Sequence, residues 1–156
     1  MKDIILASTS PYRRALLDRL GIVYSVEPPH VDETAYRSLE AQQMATTLAG
    51  EKALAIKRPH SLVIGADQVV EVDGGVLGKP GTASAARAQL ERLSGRAHRL
   101  LTAVAVHDCD SGVVKTELDI HTLWMRPLTW ELIEAYVAFD QPLDCAGAYK
   151  LESRGI

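Results

Sequence analysis

Aromatic residues are scarce in this chain: one Phe, two Trp and five Tyr make up 5% of its 156 residues. The core must therefore be built from Leu, Ala, Val and Ile. Only two cysteines, Cys109 and Cys145, are present. They are too few for a disulfide scaffold and too far apart for a zinc knuckle, which fits a reducing cytoplasm, and each reads as a small buried apolar residue. No run of 18 apolar residues occurs, and Lys2 and Asp3 are followed by only four apolar residues before Ser8. The chain thus lacks a membrane helix or a signal-peptide core and reads as soluble and unexported, with no membrane partner. Basic charge is not in excess either, since 17 Lys and Arg face 20 Asp and Glu for a net charge of −3. A nucleic-acid partner is therefore not expected. Five histidines show no metal-ligand spacing, and no Ser-His-Asp order is evident.

What is present is an ordinary globular composition, 47% apolar and 24% charged, with 11 Gly and 7 Pro spread along the chain. At this length a single domain can bury roughly 68–70% of its unfolded surface, enough for a core without disulfides or a structural metal.

The pattern alternates strands and helices. Ile4 to Ala7 is a short apolar run that reads as a buried strand. Ser8-Thr9-Ser10 then offers N-cap chemistry before Pro11, which suits a first helical position. The helix that follows has Tyr12, Leu16, Leu17 and Leu20 as its apolar positions and stops at Gly21. Ile22 to Glu27 reads as a second strand, ended by Pro28-Pro29. A helix is expected from Leu39 to about Lys57, with Ala41, Met44, Ala45, Leu48, Ala55 and Ile56 on its apolar face. Ser61 to Ala66 is a further buried strand, continued by Val69 to Val72 beyond Asp67-Gln68, and Asp73-Gly74-Gly75 turns it into Val76-Leu77. Thr82 caps a helix to Leu93, ended by Gly95. Leu100 to His107 and Val113 to Trp124 form two long strands around the turn Asp108 to Gly112, the second with one exposed face. Thr129 opens a last helix through Phe139, with Trp130, Ile133 and Val137 on one side. Early alternation and later hairpins predict an α/β domain, a mixed, twisted sheet flanked by helices.

Several residues can carry chemistry. At the turn Ala7-Ser8-Thr9-Ser10-Pro11-Tyr12-Arg13-Arg14, a helix N-terminus, three hydroxyls and two arginines together describe an anion site, suited to phosphates. The same residues also make a plain Ser cap on a surface helix, and the spacing of a P-loop is absent. Asp67, followed by Gln68, stands where a buried strand emerges, a place where active sites of α/β sheets collect, or where an Asp simply caps a turn. Of Asp32-Glu33-Thr34, at most one carboxylate can join Asp67 on a hard cation such as Mg²⁺; a solvated acidic loop is the alternative. Gly78-Lys79-Pro80 fixes an ammonium in a tight loop, useful against phosphate charge. Lys52 serves the same end, or forms a helix-face ion pair.

Taken in order, Leu6-Ala7-Ser8-Thr9-Ser10-Pro11 with Arg13-Arg14, Asp32-Glu33-Thr34, Glu51-Lys52-Ala53, Gly65-Ala66-Asp67-Gln68, Leu77-Gly78-Lys79-Pro80, Ser94-Gly95 with His98 and Thr102, and Ala146-Gly147-Ala148-Tyr149 resemble the Maf family of nucleoside triphosphate pyrophosphatases. The resemblance implies an inosine triphosphatase-like α/β fold, usually dimeric. It implies cleavage of a nucleoside triphosphate between its α and β phosphates, with Mg²⁺, or alternatively Mn²⁺, as the divalent ion. Ser8, Arg13, Glu33, Lys52, Asp67 and Lys79 fall on the family's catalytic and phosphate-binding motif. Asp67 is the expected water activator, Glu33 its metal partner, Arg13, Lys52 and Lys79 the phosphate holders, and Arg14 and Gln68 complete the substrate site.

Where family members acting on dTTP and UTP carry Asp-Thr, Asp-Lys-Ala-Gly and a late Gln, this chain has Asp67-Gln68, Asp144-Cys145-Ala146-Gly147 and Glu152. That looks like the branch that hydrolyses 7-methyl-GTP. The positive charge of an N7-methylated base suits a carboxylate such as Glu152 and an aromatic face such as Tyr149. A dTTP/UTP pyrophosphatase and a non-catalytic nucleotide-binding regulator of cell division are the alternatives. Family members usually continue for several tens of residues past the Ala-Gly-Ala-Tyr block, so this single domain is expected to lack the family's C-terminal segment.

Overall fold

The computed structural model of the chain describes residues 2–151 and 153. Its elements are β1 (Asp3–Ala7), α1 (Pro11–Asp18), β2 (Ser25–Glu27), a 3₁₀ turn (Glu33–Tyr36), α2 (Ala41–Leu54), β3 (Ser61–Val72), β4 (Gly75–Leu77), α3 (Ala83–Leu93), β5 (Ala97–Asp108), β6 (Val114–Trp124), α4 (Trp130–Asp140) and a second 3₁₀ turn (Ala146–Ala148). The strands form one sheet in the order β2-β1-β3-β5-β6, with β4 paired to β3. β1 runs parallel to β2 and β3, matching Ile5 to Ser25 and to Val63, whereas β4 is antiparallel to β3. The sheet is mixed and accompanied by four helices, the α/β class expected. Among the described residues, no helix is long and apolar enough to cross a membrane.

The chain divides into two compact units, one comprising the residues up to Asp67 with Thr102–Asp119, the other Gln68–Leu101 with the residues from Ile120 on. In the first, Ile5, Ala7, Ile56 and Val63 form the apolar core. α2 turns Ala41, Ala45, Leu48, Ala49, Lys52 and Ala53 inward. It is shorter than the periodicity suggests. Its last turn closes with the Ala55 N–H on the Glu51 carbonyl, and Arg58, preceding Pro59, is steered away from helical angles. α1 starts as expected but buries none of its residues; Leu16 and Leu20 are 61% and 68% exposed. Gly21 takes the left-handed conformation (φ +64°) that ends the helix region. β2 pairs only from Ser25, and the Tyr24 hydroxyl just before it donates to the Asp18 carboxylate of α1 at 2.5 Å. Neither cysteine is fully buried, although Cys109 packs beside the core.

In the second unit, Asp73 (φ +50°) and Gly74 (φ +72°) are both left-handed, the geometry of a type I′ turn, which fixes the β3–β4 register. The core gathers Val70, Val72, Leu90, Leu93, Ile133 and Val137 among others. The Thr82 hydroxyl accepts from the Ala85 N–H and the Thr129 hydroxyl from the Leu132 N–H, capping α3 and α4. Trp130, at the first residue of α4, is 53% exposed, and Ile133, Tyr136 and Val137 pack instead. β6 was expected to hide one face, yet as the end strand of the sheet order it leaves all but Val114, Leu118 and Leu123 exposed.

An ion pair fastens the start of β1 to the end of β5 in the first unit: Lys2 Nζ lies 2.5 Å from Asp108 Oδ1 and 3.3 Å from Asp110 Oδ2. The hydrogen bond from Lys2 draws the Asp108 carboxyl from its ordinary 3.8 down to about 2. Because the folded value is the lower one, the stabilisation is present above 3.8 and is lost as the pH falls through about 2. Lys2→Met should therefore lower thermal stability at neutral pH and flatten its decline in acid; thermal unfolding across that range with an unchanged profile would rule the pair out as a contributor.

Candidate active site

The candidate site lies in the first unit and grows from three local features. β1 ends at Ala7, and the buried Ser8 hydroxyl accepts the Ser10 N–H at 3.0 Å. Ser10 in turn caps α1, accepting the Arg13 N–H at 3.4 Å, with Pro11 following the cap. This cascade leaves the Ser8 hydroxyl hydrogen unused by the turn and sets Arg13 on the first turn of the helix. The second feature is the 3₁₀ turn that carries Glu33. Asp32 is its cap, accepting from the Thr34 N–H at 3.0 Å and the Thr34 hydroxyl at 2.6 Å. Those bonds hold the Asp32 carboxyl below its ordinary range. Of the two adjacent acids, one is thus spent on local structure and the other projects elsewhere.

The third feature is β3, on which Asp67 lies in mid-strand rather than at a strand end. Ser61, Val63, Gly65 and Asp67 alternate inward in one unbroken ladder. An acid is tolerated there because its charge is met. Lys52 Nζ, on α2, lies 2.7 Å from Asp67 Oδ1 and 2.7 Å from Glu33 Oε1, and Arg13 Nη2 lies 3.7 Å from Asp67 Oδ1. Lys52 and Asp67 are 5% and 7% exposed, while the Glu33 side chain is half open to solvent. Burial pushes the Asp67 carboxyl above its ordinary value and Glu33 adds to the rise, against the opposing pull of Lys52 and Arg13. Two carboxylates and two cations therefore balance inside one partly closed cluster.

Ser8, Arg13, Glu33, Lys52 and Asp67 all belong to this unit. Arg14 is exposed on α1, and its carbonyl accepts from the Tyr24 hydroxyl at 3.2 Å. Gln68 is exposed next to Asp67, on the opposite side of the strand by the pleat. Lys79 lies in the second unit, exposed in the loop after β4. Tyr149 is also in the second unit, 8% exposed within its core. Its hydroxyl sits 2.7 Å from His98 Nε2, with the rings edge to face at 5.5 Å. A ring packed this way offers no open face to a base; its role here is to fasten the segment after α4. Tyr149 and His98 are 51 residues apart, so no local signal in the sequence connects them. Glu152 lies outside the described residues.

Asp67 and Glu33 carry oxygens of the kind a hard ion such as Mg²⁺ takes, together with water and substrate phosphates, and one oxygen of each already meets the Lys52 ammonium at 2.7 Å. Among the described residues no group of three or more His, Cys, Asp or Glu side chains could hold a metal. The oxygens of Asp67 and Glu33 would be its protein ligands.

Removing one partner from this cluster strands a buried charge. Lys52→Met should cost about 3 kcal/mol at neutral pH, in the range of broken buried pairs. Because the folded pKa of Asp67 is raised, the folded state takes up that proton first, and the penalty should shrink as the pH falls through the raised value. Urea unfolding at several pH values measures both; a loss that does not depend on pH would show that Asp67 is not the group stranded. Tyr149→Phe should cost about 1 kcal/mol for one lost hydrogen bond, read from the same experiment.

The family model described as Maf-like protein matches residues 3–156. A protein of Xanthomonas campestris pv. campestris (strain 8004), named 7-methyl-GTP pyrophosphatase, is 48% identical over 158 residues, covering 100% of this chain and 82% of that protein. A protein of the same name from Bdellovibrio bacteriovorus is 44% identical, covering 99% of this chain and 82% of its own length. One from Moorella thermoacetica, named dTTP/UTP pyrophosphatase, is 43% identical over 99% of this chain and 81% of its own length. Among solved structures, a HAM1 protein from Coxiella burnetii aligns with 78% of this chain and 72% of its own at a TM-score of 0.48 and 18% identity. With a family model spanning nearly the whole chain and relatives of this identity along its length, the chain belongs to the Maf-like protein family.

Proposed function

We propose that this chain hydrolyses the α–β phosphoanhydride of a nucleoside triphosphate, releasing the monophosphate and pyrophosphate, with 7-methyl-GTP as the favoured substrate. The observation that carries the reading is the buried Lys52, poised between Asp67 and Glu33 with Arg13 beside them. Phosphoanhydride hydrolysis asks for charge neutralisation, an oriented water and a base, with little covalent work for the protein. Arg13, Lys52 and the N-terminal turn of α1 provide positive charge and N–H donors for phosphate oxygens, and Ser8 adds a hydroxyl. Asp67, ionised above its raised pKa, accepts the proton of the attacking water. Mg²⁺ bound by Asp67 and Glu33, or Mn²⁺ in its place, would neutralise phosphate charge and acidify a bound water. Lys79 is retained as a phosphate ligand on the family motif alone. The name shared by the Xanthomonas and Bdellovibrio relatives supports the methylated guanine nucleotide. The Moorella relative's name supports a dTTP/UTP pyrophosphatase as the second reading. A homodimer in the cytoplasm, clearing the nucleotide pool, completes the proposal.

A panel of 7-methyl-GTP, GTP, dTTP and UTP assayed for pyrophosphate with Mg²⁺ tests it. The methylated nucleotide should turn over fastest, and equal rates for it and GTP would remove the case for base charge. Asp67→Asn should lower kcat by at least about 10²–10³ with the fold intact, the scale of a lost general base. The acid limb of kcat/KM should lie above the ordinary 3.8 of an Asp, since activity requires the ionised form and burial raises the value.

A further inference from the structure

β3 meets α2 at Gly65 more closely than any side chain permits. A Cβ there would fall 2.2 Å from the Ala49 carbonyl oxygen, 2.5 Å from the Ala53 amide nitrogen and 3.0 Å from Ala53 Cβ. In an α-helix the N–H of residue i bonds the carbonyl of residue i−4, so Ala49 O and Ala53 N are the two ends of a single helical turn. Lys52 is on that turn. Gly65 shares the inward face of β3 with Asp67, two residues further on. The turn pressed against Gly65 is thus the one that delivers the Lys52 ammonium to Asp67 and Glu33. Glycine costs a strand order and packing, and here it stands directly after Val63-Ile64, where a β-branched residue would serve the strand better.

We propose that Gly65 is a positioning residue: its missing side chain seats the Lys52 turn of α2 directly on β3, and that seating sets both ion pairs of Lys52. A methyl group at Gly65 meets backbone rather than a movable side-chain end, so α2 must retreat by roughly 1 Å to restore ordinary contact. Ala53, itself fully buried against this contact, shares the constraint from the helix side. Only the catalytic consequence of this seating rests on the function proposed above.

Limited acetylation with acetic anhydride, read by peptide mass spectrometry, tests the placement without any assay of turnover. In the wild type, Lys52 should label at least about tenfold more slowly than the exposed Lys115, because only a solvent-accessible neutral amine is acylated and Lys52 is buried and ion-paired. In Gly65→Ala, and to a smaller extent in Ala53→Ser, whose single added atom is chosen to preserve folding, that protection should largely vanish while circular dichroism shows a folded chain. A folded variant in which Lys52 stays as protected as in the wild type overturns the proposal. In the activity arm, Gly65→Ala should lower kcat by about 10²-fold, the cost of a 1 Å misplacement. Added to Lys52→Met it should cost little more, since both act through one group; full additivity would overturn the proposal too. If the wild type releases pyrophosphate from no nucleotide, the functional reading fails, and the labelling result still decides the role of Gly65.

Discussion

A single buried ammonium organises the first unit. Lys52 is 5% exposed and lies 2.7 Å from a carboxylate on either side. Burying an unpaired charge is costly, hence Asp67 on β3 and Lys52 on α2 each make the other's burial tolerable. Each constrains the element that carries it. The strand must run through Asp67 without a break, and the helix must present a lysine from an otherwise alanine-rich face. The 3₁₀ turn must then bring Glu33 over the top. The raised pKa of Asp67 records how closely these demands are balanced, since the cost of burial there outweighs two neighbouring cations.

The loops around the cluster separate local work from chemistry. Asp32 closes its own turn and Ser10 caps α1, so Glu33 and Arg13 are relieved of holding backbone. The same division holds in the second unit, where Thr82 and Thr129 cap helices whose buried faces form the core. Side chains short enough to bond their own backbone do the capping, while long ones reach for distant partners.

Much of this was legible in the sequence where the signal is local. The I′ turn at Asp73-Gly74, the caps at Ser10, Thr82 and Thr129, and the order of strands and helices all follow from residue type and spacing. The motif residues Ser8, Arg13, Glu33, Lys52 and Asp67 fall in one unit, and of the two adjacent acids Asp32 bonds its own turn while Glu33 meets Lys52. Tertiary facts were not legible. The alternating apolar residues of α1 and β6 promised packed faces, yet periodicity says which residues share a face and not whether anything covers it. The polar pair Asp67-Gln68 looked like the end of a strand because its compensating charge comes from Lys52, 15 residues earlier. Tyr149 read as a possible base platform because its partner His98 is remote in sequence.

The side chains of β6 oppose pairing with other chains. An eleven-residue strand at the end of a sheet, rich in Val, Leu, Ile and Trp, is a template on which another chain could pair edge to edge. Lys115, Glu117 and Asp119 alternate along it and are exposed. Any strand laid against this edge would have to accommodate their charge at every second position, in register and close to its own side chains. The strand's sequence thus works against indiscriminate edge-to-edge pairing, through three charged residues that take no part in the Lys52 cluster.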